Sequence, residues 1–196
     1  MLTNNTFKVW LYSPTPAGTG THFQSVITHL QAARIECLPC QTPEGKSTIL
    51  FFLDDQITEE QERECLQMMQ EPDQHVIAVY GGEKKLPFHR VWRLLSMGVD
   101  DVYDLQNKPD ICQTICSRLQ RWSVIEKIVE SEQVKKTLIG SCNTWRKVLR
   151  QVVEMACFST APILILGESG TGKELIARLV HDLDKRQDKQ SLVLLD

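Results

Sequence analysis

The segment Gly167-Glu168-Ser169-Gly170-Thr171-Gly172-Lys173-Glu174 lies between an apolar run, Pro162 to Leu166, and a helical pattern, Glu174 to Leu183. Strand, glycine-rich turn and helix in that order commit the segment to α/β architecture. Glycines let the backbone turn tightly, so that successive N–H groups point inward at phosphate oxygens. Lys173 adds a cation for the β/γ end, and the helix N-terminus adds partial positive charge. Nucleotide binding is the activity this pattern predicts. Leu175, Ile176, Leu179, Val180 and Leu183 form the apolar face on which such a helix packs. The eighth position departs from the general pattern: Glu174 stands where a Ser or Thr hydroxyl touches Mg²⁺, so the loop alone assigns no metal ligand.

A wider set of residues carries a family resemblance. Leu138-Ile139-Gly140-Ser141, a helical stretch, Ala161-Pro162-Ile163-Leu164-Ile165-Leu166, the loop with Glu after Lys, then Leu175-Ile176-Ala177-Arg178 and His181 closely resemble the start of the AAA+ domain of bacterial enhancer-binding proteins. Those proteins activate sigma-54 RNA polymerase. The resemblance covers about 138 to 196 and implies ATP as cofactor, with Mg in the intact family, held by Gly167, Glu168, Ser169, Gly170, Thr171, Gly172, Lys173 and Glu174. It also implies that Leu138, Ile139 and Gly140 line the adenine pocket; the alternative is that Leu138 and Ile139 end a helix and pack. Ser191 to Asp196 looks like the second strand of the AAA+ core. The family's Walker B strand, Gly-Ala-Phe-Thr-Gly-Ala loop, arginine finger and DNA-reading helix pair are not in these 196 residues. Little or no hydrolysis is therefore expected, and sigma-54 RNA polymerase and DNA are partners implied only for an intact homologue.

Residues 7 to 121 alternate strand-like and helix-like runs, the mark of a parallel sheet wrapped by helices. Strands are predicted at Val9–Tyr12, Ile35–Leu38, Thr48–Leu53, Val76–Tyr80 and Val102–Leu105. Helices are predicted after Gly20 with the stripe Phe23, Val26, Ile27, Leu30 and Ala33, then at Gln41–Lys46, Thr58–Met69, Phe88–Met97 and Pro109–Arg121. Thr58 and Gln61 approach the capping-box pattern. This order, with Met97-Gly98-Val99-Asp100-Asp101-Val102-Tyr103, resembles a response-regulator receiver domain. The resemblance places Asp54 as candidate phosphoacceptor. The magnesium-holding acidic pair falls on Tyr12 and Ser13, the hydroxyl position on Tyr80 or Gly81, and the lysine position on Leu105, unless Lys108-Pro109 fills it. A phosphoryl group would meet Asp54 with its charge largely uncompensated. A pseudo-receiver is the expectation, and an ordinary strand-end acid is the alternative for Asp54.

The expected architecture is α/β: a receiver-like (βα)5 doubly wound parallel sheet at 1–121, a linker helix at 122–137, and the first part of a P-loop AAA+ domain at 138–196. Val124, Ile125, Ile128 and Val129 give the linker an apolar stripe, consistent with self-association through receiver and linker or with packing on its own domain. At 42% apolar and 24% charged there is material for a real core, and a formal charge of -3 presents no basic face for nucleic acid. No targeting segment and no run of eighteen apolar residues occurs, so the expectation is a cytoplasmic protein with no membrane partner. Seven cysteines are scattered; Cys37-Leu38-Pro39-Cys40 lacks a second ligand pair for zinc, and reduced thiols are expected. Two function classes follow: an ATP-binding regulator of sigma-54-dependent transcription, or a stand-alone regulatory interaction module without nucleotide function.

Overall fold

A computed structural model describes residues 7–14, 21–42, 48–71, 74–106, 110–186 and 188–193. The chain divides into two compact units, Met1–Arg118 and Leu119–Asp196.

The first unit is a five-stranded sheet in the order β2-β1-β3-β4-β5, built from β1 (Lys8–Tyr12), β2 (Glu36–Pro39), β3 (Thr48–Leu53), β4 (His75–Tyr80) and β5 (Asp101–Asp104). Every pairing is parallel, with Trp10 opposite Ile49, Leu50 opposite Ile77 and Ala78 opposite Val102. This is the doubly wound order of receiver-like domains, and strand ends at the carboxyl edge gather the residues that could form a site. All six residues of β3 are buried, as a central strand covered by helices on both faces requires.

The helices of this unit are α1 (Thr21–Ala32), α2 (Glu59–Met68), α3 (Phe88–Ser96) and the start of α4 (Ile111–Val129). Phe23, Val26 and Leu30 carry α1 onto the sheet, and the Phe23 ring meets Phe52 at 4.5 Å between centroids. In α2 the capping box is complete: the Gln61 N–H donates to the Thr58 hydroxyl at 3.3 Å, and the Thr58 N–H donates to the Gln61 side chain at 3.0 Å. Residues 41 and 42 are not helical, and most of the helix expected at Gln41–Lys46 lies outside the described residues.

The second unit contains the rest of α4, α5 (Glu132–Thr137), α6 (Asn143–Phe158) and α7 (Lys173–Leu183). The expected break at 121–122 does not occur. Nothing between Leu119 and Ser123 is Gly or Pro, so α4 continues to Val129. Of the stripe expected on the linker, Ile125 and Val129 are buried and Ile128 is half-buried, whereas Val124 is 37% exposed; Trp122 is buried too, as are Leu149 and Val153 of α6. Ion pairs run down α4 and α6 in antiparallel sense: Arg121 with Glu154 at 3.9 Å, Glu126 with Arg150, and Glu130 with Arg146 at 2.7 Å.

The apolar run Pro162–Leu166 is not a strand. It is irregular, with Leu164 82% and Leu166 81% exposed while Ile163 and Ile165 are half-buried. A parallel strand needs neighbours to take its backbone hydrogen bonds, and the described residues of this unit include no other strand. Residues 191–193 are likewise not a strand, and 194–196 lie outside the described residues. No helix among the described residues is long and apolar enough to cross a membrane.

Candidate functional site

The glycine-rich loop curls ahead of α7. Gly170 and Gly172 have φ of +79° and +81°, a region that costs other residues steric strain. An added Cβ at either would meet nothing within 4 Å, so the dihedral and not crowding calls for glycine there. Gly167 differs, because a Cβ would lie 2.9 Å from the Thr171 hydroxyl. The turn is closed by Thr171, whose N–H and hydroxyl both donate to the Glu168 carbonyl, at 3.4 and 2.8 Å. Gly172 then caps α7 without a side chain, so no side-chain acceptor takes the orphan N–H groups of the first turn.

Lys173 opens the helix and folds back over the loop. Its Nζ donates to the carbonyls of Gly167 at 3.1 Å and Glu168 at 2.6 Å. The ammonium thus stands over the curl that the glycines make. Glu174 points elsewhere: its Oε1 accepts from Arg178 Nε at 3.0 Å and Nη2 at 2.7 Å. Glu168 and Ser169 are exposed at the tip.

Leu138 and Gly140 belong to a different concavity. Leu138 caps α5 and is buried, whereas Ile139 is 88% exposed. Gly140 meets Trp145 so closely that a Cβ would sit 2.5 Å from the indole. Leu138 and Gly140 line a cavity of about 240 Å³ with Glu130, Lys135, Arg146 and Leu149, and no residue of the 167–174 loop lines it. Lys135, at 2.5 Å, holds the Glu130 carboxyl below the usual carboxylate range, and Arg146 adds to the effect.

At the carboxyl edge of the first unit's sheet, Asp54 follows β3 and its Oδ1 accepts from the Gln56 N–H at 2.9 Å. The end of β1 supplies Tyr12, buried with its hydroxyl 3.5 Å from Cys65 Sγ, and no carboxylate. Tyr80 ends β4 and donates its hydroxyl to Asp55, whose second oxygen accepts from the Glu83 N–H at 2.7 Å. The Tyr80 bond, reinforced by the neighbouring backbone N–H groups, lowers the Asp55 pKa. Burial foremost, and then Asp55, pushes the Tyr80 phenol up. Leu105 follows β5, and Lys108-Pro109 lies outside the described residues.

Behind this edge lies an ion network that the sequence reading missed. Glu62 is fully buried and accepts from Arg90 Nε and Arg93 Nη2, each at 2.6 Å. Arg90 also donates to the Asp54 carbonyl at 3.0 Å and stands 5.2 Å from the Tyr80 ring centroid. The signal was present: Glu62 shares a helical stripe with Cys65, Leu66 and Met69, and a carboxylate on such a stripe must meet cations.

Residues 138–195 match the family model described as the sigma-54 interaction domain. This segment is therefore related to sigma-54-dependent transcriptional activators. Over 79 residues the chain is 40% identical to the formate hydrogenlyase transcriptional activator FhlA of Escherichia coli K12, an alignment covering 37% of this chain and 11% of that protein. The chain thus spans about a tenth of the curated relatives it first matches. Among solved structures, NtrX from Brucella abortus in complex with ADP is similar with a TM-score of 0.47 and 18% identity, over 92% of this chain and 42% of that one. The receiver domain of a LuxO repressor protein from Vibrio parahaemolyticus gives a TM-score of 0.47 at 14% identity, over 65% of this chain and 99% of that one.

Proposed function

We propose that the chain is an ATP-binding regulator of sigma-54-dependent transcription, with the phosphates seated in the 167–174 loop. The observation that carries this reading is the pair of left-handed glycines leading into α7 beneath the Lys173 ammonium. An arriving triphosphate would take Lys173 from the carbonyls of Gly167 and Glu168 and meet the uncapped N–H groups of the first helical turn. The match of 138–195 to the sigma-54 interaction domain supports the same reading. Leu138, Ile139 and Gly140 would contribute to the base site by family resemblance. Bound Mg would find no hydroxyl at position 174, where Glu174 is engaged by Arg178.

The first unit is, on this reading, a receiver-shaped regulatory domain that does not take up phosphate at Asp54. The edge that would hold Mg presents Tyr12, and Asp55 is committed to Tyr80. Self-association would run through this unit, where Phe88 and Trp92 are 74% and 60% exposed, and through the linker, where Val124 is 37% exposed. Cytoplasmic location, and sigma-54 RNA polymerase and DNA as partners of an intact relative, belong to the same proposal.

Titration of the 196-residue protein with a fluorescent ATP analogue tests the nucleotide site. Saturable binding that Lys173→Ala abolishes is expected, without measurable hydrolysis. Absence of saturable binding by the parent would refute it and favour an interaction module without nucleotide function, whereas binding that survives Lys173→Ala would move the nucleotide off the 167–174 loop. For the first unit, acetyl phosphate should leave the intact mass unchanged; a gain of one phosphoryl group that Asp54→Asn removes would overturn the pseudo-receiver reading.

A further inference from the structure

We infer that Arg178 is a positioning residue of the nucleotide site, and that its task is to draw the Glu174 carboxylate off the phosphate-binding end of α7. The inference rests on the nucleotide reading of the loop. Within Gly167–Glu174 two carboxylates, Glu168 and Glu174, stand against one ammonium, Lys173. That balance is poor for a polyanion.

Glu174 is the sharper problem. It is the second residue of α7, after the cap Gly172, where the helix dipole favours negative charge. A carboxylate there competes with phosphate for the same field. Arg178 lies one turn on, on the same face, in the orientation that suits an acid preceding a base by four residues. Both guanidinium N–H groups converge on the single oxygen Oε1, at 3.0 and 2.7 Å, which pulls the carboxylate along the helix away from its N-terminus.

The pair is more than half exposed on both sides, at 53% and 58%, so it adds little to folding stability. Its consequence falls on the charge presented at the loop. Without Arg178, Glu174 is free to approach the uncapped first-turn N–H groups and add an unmatched negative charge beside the phosphates.

Equilibrium titration of the intact 196-residue protein with the fluorescent ATP analogue, at low and high salt, separates the cases. Arg178→Met should weaken binding about tenfold, with the loss shrinking at high salt as screening grows. Glu174→Gln removes a negative charge beside the phosphates and should bind more tightly than the parent, and Glu174→Gln with Arg178→Met should recover the tightness of Glu174→Gln alone. If the double variant stays as weak as Arg178→Met, Arg178 acts on the nucleotide directly and the inference fails. It fails too if Arg178→Met binds like the parent while Lys173→Ala abolishes binding, and the nucleotide reading then survives. Absence of binding by the parent overturns both.

Discussion

A carboxylate that water never reaches persists only where its charge is matched, and Glu62 meets Arg90 and Arg93 at 2.6 Å each. Removing it leaves Arg90, 12% exposed, without its carboxylate and Arg93, 20% exposed, with only the solvent-exposed Glu59. Glu62→Ala should cost the first unit about 3–5 kcal/mol in urea unfolding, mostly as the penalty of uncompensated charge. The triple variant Glu62→Leu, Arg90→Met, Arg93→Met should recover much of that loss, since an apolar cluster of similar volume needs no counter-charge. A triple variant no more stable than Glu62→Ala would contradict this account. Asp55 makes a second prediction. Its folded-state pKa is lowered, chiefly by the Tyr80 hydroxyl, so its contribution to stability is present above the ordinary aspartate value of about 3.9 and lost as pH falls below it. Tyr80→Phe deletes the main cause. Between about pH 5 and pH 2 the parent should lose more stability than Tyr80→Phe does, measured by unfolding at each pH. Parallel pH profiles would show that the bond does not bias Asp55.

Elements were legible in the sequence where their signal is local. Thr48–Leu53 reads as a buried strand because both its faces are covered and it needs no polar alternation. Thr58 and Gln61 read as a helix start because a capping box is a contact over three residues. The glycines of the loop read as a curl because φ near +80° is a property of single residues. What stayed hidden depends on distant partners. The cations of Glu62 lie 28 and 31 positions away, and the Tyr80–Asp55 bond spans 25. Pro162–Leu166 carries the composition of a strand, but composition cannot supply the neighbours that make one. Two sets of variants test the elements. Thr58→Ala should cost about 1 kcal/mol by loss of the cap. Glu126→Arg and Arg150→Glu should each destabilise the second unit, while the double swap restores a coupling of about 1 kcal/mol, because the two side chains are half-buried and face one another across α4 and α6. Additive losses would show that the ion pairs merely accompany the apolar contacts of Ile125, Val129, Leu149 and Val153.

For the whole molecule, two compact units imply that one unfolding free energy does not describe the chain. The first holds a sheet whose central strands β3 and β4 are almost wholly buried. The buried apolar side chains described in the second are Leu119, Trp122, Ile125, Val129, Val134, Leu138, Leu149, Val153 and Ile176, fewer than in the first, and its apolar run at Pro162–Leu166 has no strand partner among the described residues. Buried apolar area sets both stability and denaturant sensitivity, so the second unit should unfold at lower urea with the smaller slope. Intrinsic tryptophan emission can follow it, since Trp122 and Trp145 lie in the second unit and Trp10 and Trp92 in the first. A nucleotide bound at the 167–174 loop stabilises only the unit that holds it. At an ATP-analogue concentration about 100 times its Kd, the lower transition should shift by about 2.7 kcal/mol while the upper one stays in place. Lys173→Ala should remove the shift without moving the nucleotide-free curve, because that ammonium is exposed and bonded only to loop carbonyls. A single transition that moves as one with nucleotide would show that the units unfold together, and α4, continuous from Ile111 to Val129, is the element whose interruption by Ser123→Pro would then be expected to split it.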